Sequence, residues 1–121
     1  MANLLKEAID VLKEHGKSGN DVLWVGRIGD DDVYDYYDSQ EVRRPTVKNT
    51  WEWFKSNANF EYDNGYGGAE IPSSLVVVGK DFWLERHEYD GSEWFEYKTM
   101  PKEPEKIANF ALCKEEEGFY I

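Results

Sequence analysis

Cysteine and long apolar runs are nearly absent from this chain. Cys113 is its single cysteine, so an internal disulfide and a zinc site made of cysteines are both excluded. The longest apolar run, residues 75–78, is far shorter than the roughly 20 residues that span a bilayer. Charged residues interrupt the apolar positions near the N-terminus, unlike the core of a secretory signal. We therefore expect a cytoplasmic protein that makes no contact with a membrane.

Basic residues are also scarce relative to acidic ones. The chain has 14 Lys and Arg against 25 Asp and Glu, which gives a formal net charge of −11. Such a charge repels DNA, RNA and anionic membranes, and it favours a partner with a basic surface. Aromatic residues are plentiful, with five Trp, eight Tyr and six Phe, whereas a disordered acidic tail has few. The composition predicts one folded domain, residues 1–121, with a strongly negative surface.

The apolar spacing predicts two helices. The first covers residues 4–15, with Asn3 as its N-cap and Gly16 just beyond its end. The second begins at Asn49, in a capping-box pattern, and ends near residue 59. Its inward face consists of two aromatic residues, Trp51 and Phe54.

Four segments have the composition of β-strands. Residues 21–26 form the first, and residues 75–78, 82–89 and 93–99 form an antiparallel meander. The meander turns at residues 79–80 and 90–91, where the second turn is Asp-Gly, a strong hairpin signal. Alternation along two of these strands predicts an inward row made of Phe82, Leu84, Phe95 and Tyr97.

Together these elements predict an α+β fold. A three- to four-stranded, mainly antiparallel sheet packs against the N-terminal helix and the short second helix. The strand near residues 22–25 joins the meander, beside residues 75–78 or 82–89. A final helix or strand after the meander covers three apolar residues, Ile107, Phe110 and Leu112.

The segment around His87 is the best place for a metal site or an acid–base pair. Glu85 and His87 project to the same side of a strand, and Glu96 on the neighbouring strand can join them. A divalent ion needs two or three such ligands held rigidly. The alternative is a polar sheet face with cross-strand charge pairs. We favour this alternative because no metal-ligand spacing such as HExxH is present.

Other signals of catalysis are weak. The glycine-rich loop at residues 62–68 lacks the phosphate-binding pattern and is flanked by acids, so we expect a structural turn. His15, His87 and Cys113 have no evident catalytic partner in the sequence. We therefore expect no catalytic residue, no metal ion and no cofactor.

The most unusual segment is acidic and rich in tyrosine. Residues 30–41 contain six acidic residues, three tyrosines and no basic residue, within a loop or insertion at about residues 29–49. Dense like charges oppose compaction, so we expect an exposed loop or an edge strand. The segment either keeps the protein solvated or contacts a basic partner, because alternating Asp and Tyr can imitate phosphates flanked by bases. The predicted contact residues are Asp30, Asp31, Asp32, Tyr34, Asp35, Tyr36, Tyr37 and Asp38.

Several blocks of the sequence are similar to a known group of proteins. They are the N-terminal helix with DVLWVG, the loop YDNGYGG with LVVVG, and WLERHEYDGSEW. These blocks resemble small acidic proteins encoded by phages and prophages of Gram-positive bacteria, a group with no established activity. The resemblance implies that residues 30–49 are an insertion on a shared scaffold. It also implies an anti-defence role by analogy, since several anti-CRISPR and anti-restriction proteins are acidic and imitate nucleic acid.

The sequence thus predicts a non-enzymatic inhibitor that binds the basic, nucleic-acid-binding site of a host protein, such as a CRISPR effector. It acts in the host bacterial cytoplasm, as a monomer or homodimer, without binding nucleic acid directly. Two alternatives remain open. One is an accessory or structural phage protein that self-associates through Trp and Tyr side chains on the second sheet face. The other is a small metal-dependent enzyme that uses Glu85, His87 and Glu96.

Overall fold

The computed structural model describes most of the chain. It covers residues 1–28, 33–35, 40–42, 46–65 and 67–113, and for 33–35 and 40–42 it describes the backbone. The elements in chain order are β1 (Ala2–Asn3), α1 (Leu4–Glu14), a short 3-10 helix (Gly19–Asp21), β2 (Val22–Arg27), β3 (Val33–Asp35), β4 (Gln40–Val42), β5 (Val47–Asn49), α2 (Trp51–Asn57), β6 (Glu61–Tyr62), β7 (Leu75–Gly79), β8 (Phe82–Tyr89) and β9 (Ser92–Thr99).

Within the part of the chain that the structure describes, the main sheet is antiparallel and contains five strands in the order β5-β2-β7-β8-β9. The predicted α+β class and the antiparallel meander are confirmed, and β2 pairs with β7, one of the two neighbours that the sequence left open. The prediction of three to four strands is wrong, because β5 adds a fifth strand at the edge beside β2. Two further pairs, β1 with β6 and β3 with β4, form separate two-stranded ladders.

Helix α1 begins and ends where its sequence signals predict. The Asn3 side chain accepts a hydrogen bond from the Lys6 amide at 3.0 Å, which satisfies a donor of the first turn. Gly16 has a φ of 72°, and the Lys17 amide donates to the Leu12 carbonyl at 2.8 Å. This is the glycine-ended C-cap in which a left-handed residue turns the chain out of the helix.

Helix α2 begins two residues later than predicted. Thr50, not Asn49, is its N-cap, and the Thr50 hydroxyl accepts from the Trp53 amide at 3.0 Å. Asn49 instead belongs to β5, where its backbone pairs with Val25, so it is not available to cap the helix. The helix ends at Asn57 rather than near residue 59.

The core lies between the sheet and the two helices, which both pack on the same face of the sheet. Contacts join α1 to β9 and α2 to β2, and the buried residues of both helices belong to one cluster with the sheet. The predicted inward aromatic residues of α2, Trp51 and Phe54, are buried there. A nearly fully buried row crosses the middle of the sheet and consists of Val25, Val77 and Leu84.

The predicted inward row of the meander is confirmed. Phe82, Leu84 and Phe95 are buried, and the partly buried Tyr97 packs against them. The Tyr97 ring stacks on Phe82 and, on the helix side, on His15 at 3.9 Å between ring centroids. These contacts join the C-terminal end of α1 to the β9 edge of the sheet.

One of the two predicted turns is confirmed and the other is displaced. Asp90 and Gly91 have φ angles of 49° and 85°, as a tight two-residue hairpin requires. The first turn consists of residues 80–81, because Gly79 still belongs to β7. Gly79 is needed in the strand, where the Phe82 ring packs against it and leaves no room for a Cβ.

The predicted final helix or strand does not occur within residues 100–113, where the structure describes no regular element. Its three expected apolar residues are exposed: Ile107, Phe110 and Leu112. Pro101 and Pro104 lack the backbone donors that would extend the sheet, and the spaced apolar residues beyond them reach no part of the core. In the described ranges, no helix has the length and apolar composition needed to cross a membrane.

Candidate functional site

The structure describes little of the predicted contact segment. Asp30, Asp31, Asp32, Tyr36, Tyr37 and Asp38 lie outside the described residues. Tyr34 and Asp35 belong to β3, where they pair with Glu41 and Gln40 of β4. The described part of the segment is therefore a short antiparallel pair of strands.

The sheet face turned away from the helices is the most unusual described surface. Cross-strand pairing aligns Trp24 with Val78 and then with Trp83, and it aligns His87 with Trp94. Side chains alternate along each strand, so these residues share the face opposite the buried row. We call this surface the outer face. Its partly exposed residues are Trp24, Val76, Val78, Trp83, Glu85, His87, Trp94, Glu96 and Lys98, and the exposed Lys48 lies at its β5 edge.

A Trp-x-Glu motif occurs twice on the outer face. The Trp83 indole donates its N–H to Glu85 at 2.9 Å, and the Trp94 indole donates to Glu96 at 3.2 Å. The two strands are antiparallel and Glu85 pairs directly with Glu96, so the motifs meet at their carboxylates. Each indole extends along its own strand towards the centre of the face.

His87 and Lys98 compensate this pair of carboxylates. Like charges opposite one another destabilise a sheet. The His87 ring contacts Glu85 through Nε2 at 3.2 Å and Glu96 through Nδ1 at 3.0 Å, while Lys98 contacts Glu96 at 3.3 Å. Desolvation would raise the pKa of Glu96, but the hydrogen bond from Lys98 and the charge of His87 lower it below its ordinary value.

The three residues predicted for a metal site are adjacent but do not converge on one point. Glu85 and Glu96 contact opposite nitrogens of the His87 ring, so the three ligands cannot all reach one ion. Within the described ranges, no group of three or more His, Cys, Asp and Glu residues is arranged to hold a metal. The geometry is that of the alternative, a sheet face with cross-strand charge pairs.

A second charged cluster lies on the inner side of the same hairpin. Arg86 is buried and donates to Glu93 and to the Tyr62 hydroxyl, each at 2.9 Å. The Tyr62 hydroxyl donates to Glu7 of α1, whose carboxylate lies 3.9 Å from Arg86. Burial and the hydrogen bond to Glu7 raise the pKa of Tyr62 to about 12. The Arg86 guanidinium also lies 4.6 Å from the Phe95 ring centroid, a cation–π contact.

Glu93 connects this cluster to the glycine-rich loop. Its carboxylate accepts the amides of Glu70 and Ile71 at 2.8 and 3.1 Å, and its own amide donates to the Asn64 carbonyl at 2.8 Å. The Asp63 carboxylate accepts the Gly65 amide, which forms a local turn. The described part of the loop agrees with the predicted structural turn.

Sequence reasoning missed the buried cluster, although a signal for it exists. Arg86 has the same strand parity as Phe82 and Leu84, which predicts that it faces inward. A buried arginine requires a carboxylate, and Glu93 has the parity of Phe95 on the paired strand.

An apolar groove lies on the helix side, between α2 and the β5–β2 edge. Its volume is about 330 Å³, near the lower limit for pockets that bind small molecules. Half-exposed Val47, Trp53 and Phe60 contribute to its walls.

Comparisons with known proteins add no further constraint on the function. No family model, curated protein or solved structure matches this chain.

Proposed function

We propose that this chain is a non-enzymatic inhibitor that binds a basic, nucleic-acid-binding site of a host protein. The observation that carries the proposal is a net charge of −11 on a chain of 121 residues that folds around a real core. A folded body with this charge attracts a cationic groove and accelerates the encounter with it.

The distribution of acidic side chains supports this proposal. Among the described acidic residues only Glu93 is buried, so most of the described negative charge lies at the surface.

The narrower proposal assigns the contact to residues 30–38. Carboxylates at short spacing form charge-assisted hydrogen bonds with Arg and Lys, and tyrosine rings supply contact area with few rotatable bonds. Together they imitate the phosphates and bases for which a nucleic-acid groove is built. A CRISPR effector or another defence nuclease of a bacterial host has such a groove, which agrees with the resemblance to phage proteins.

The test is capture of a host protein by the tagged chain, with and without nuclease, compared between two charge-reversed variants. The first carries Asp31→Lys, Asp32→Lys, Asp35→Lys and Asp38→Lys. The matched control reverses four other exposed acids, Glu14, Asp81, Glu103 and Glu105, and so changes the net charge by the same amount. We expect the first variant to lose binding and the control to retain most of it.

Competition with DNA and a salt titration test the same contact in the wild-type chain. Competing DNA and rising salt should both release a basic nucleic-acid enzyme from the wild-type chain, because charge dominates the contact. Equal retention by both variants would contradict the electrostatic proposal. Equal loss in both would show that net charge, and not residues 30–38, determines binding.

A further inference from the structure

The outer face presents a cluster of partly exposed apolar side chains on the side of the sheet opposite the buried core. Three of the five tryptophans lie on it, together with Val76 and Val78. The Trp24 ring packs over Gly26 and so covers the position on β2 that has no side chain of its own. A sheet face that borders water usually has polar residues at these positions. Tryptophan is enriched in protein–protein interfaces.

The polar groups at the centre of the outer face are already satisfied within the chain. Both Glu85 oxygens have partners, the Trp83 indole and His87. Both Glu96 oxygens also have partners, namely Lys98 on one side and the Trp94 indole with His87 on the other. Covering a charged group is costly when it is left unpaired. These carboxylates can be covered by another surface without losing a partner.

Charge on the outer face is balanced, unlike the charge of the whole chain. Glu85 and Glu96 are matched by Lys98 and by Lys48, which lies on this face through its pairing with Gly26. A basic partner therefore gains little here. A copy of the same face meets no net repulsion from it.

We infer that the outer face is the contact between two copies of this chain, packed sheet against sheet. The five strands contain three, six, five, eight and eight residues, and they lie about 4.8 Å apart with a rise of about 3.4 Å per residue. Their flat projection of roughly 500 Å², with its side-chain relief, approaches the about 800 Å² that each partner contributes to a standard interface. The inference does not depend on the proposed binding of a basic host protein.

The test is sedimentation equilibrium of the full chain over a range of concentrations at low and physiological salt. We expect a monomer–dimer equilibrium that shifts towards dimer as salt rises, because two bodies of charge −11 repel and salt screens them. Binding to a basic partner has the opposite salt dependence. Trp83→Arg and Trp94→Arg should each raise the dissociation constant at least about tenfold, since buried interface tryptophans are frequent hot spots.

Trp53→Arg is the matched control. Trp53 is half-exposed, more so than the partly exposed outer-face tryptophans, and it lies on the helix side in the wall of the groove. We expect this variant to dimerise like the wild type. If either arginine variant unfolds by circular dichroism, the double variant Val76→Thr and Val78→Thr, which keeps β-branched residues, replaces it and should also weaken the dimer.

Three outcomes would overturn the inference. They are a wild-type monomer at all concentrations, a dimer that all outer-face variants leave intact, and equal dissociation by Trp53→Arg. A chain that stays monomeric but still captures a basic host protein would refute the dimer and leave the proposed function standing.

Discussion

Arg86 and His87 are neighbours in the chain, yet their side chains have opposite environments. The side chain of Arg86 is nearly inaccessible and contacts Glu93 in the core, whereas His87 contacts Glu85 and Glu96 on the outer face. Solvent weakens the exposed contacts, while loss of a buried partner leaves an uncompensated charge. Because side chains alternate along β8, Arg86 stabilises the core while its neighbour His87 lies at the surface.

Replacing Arg86 should strongly destabilise the fold. Arg86→Met leaves Glu93 buried without its cation, and we expect the free energy of unfolding to fall by about 3–5 kcal/mol. Lys6→Met, which breaks the exposed ion pair with Asp10, should cost less than about 1 kcal/mol. Urea denaturation of both variants measures the difference, and similar losses in the two would contradict the structural role of the cluster.

Tyr62 should make stability depend on alkaline pH. The pKa of Tyr62 is about 12 in the folded chain against an ordinary 10.0, so between these values the folded state keeps a proton that the unfolded chain loses. The contribution of this Tyr62 proton to the free energy of unfolding is complete below pH 10 and is lost as the pH rises towards 12. Denaturation across this range should show a flatter decline for Tyr62→Phe than for the wild type. Tyr89→Phe, at an exposed tyrosine, should decline like the wild type.

At the scale of elements, β5 is the strand that no local sequence pattern predicts. It has three exposed residues and pairs with β2 through Gly26, where the backbones of the two strands approach closely. A Cβ on Gly26 would collide with the Val47 carbonyl and would lie 3.0 Å from the Trp24 ring. Helix α1 and the β8–β9 hairpin were predictable because caps and turn residues lie within the same few positions. The pairing of β5 depends on residues far apart in the chain.

Gly26→Ala should therefore detach β5 from the sheet. Because the obstructing atom is backbone, the strand has to move, and we expect a loss of roughly 1–3 kcal/mol in unfolding free energy. Hydrogen exchange at residues 47–49 should accelerate at the same time. Gly68→Ala, where nothing lies within 4 Å of the new Cβ, is the control and should stay within about 0.5 kcal/mol of the wild type. Equal stability of the two variants would refute the close approach.

At the scale of the whole molecule, the strong net charge and the balanced outer face favour different partners. A charge of −11 favours encounter with a basic surface and opposes self-association. The outer face has paired charges and partly exposed indoles, which fit a second copy of the same surface. Salt should weaken the first contact and strengthen the second, so one titration separates the two kinds of binding.

The sequence by itself determined the composition-driven properties and the local elements. Simple counts give the net charge and the single cysteine. Neighbouring residues are enough to predict the Asn3 cap, the Asp90–Gly91 turn and the inward parity of Phe82 and Leu84. The α+β class follows from these elements. The adjacency of Glu85, His87 and Glu96 was also predictable, because strand alternation and a tight hairpin fix it.

Only the tertiary structure decided which of these groups are buried, paired or covered. Tyr62 and Glu7 meet Arg86 from distant parts of the chain, and β5 joins the sheet across an intervening segment. Residues 100–113 contain apolar residues, but no core surface receives them. Burial and long-range pairing depend on how the whole chain closes around its core, and no local pattern encodes that closure.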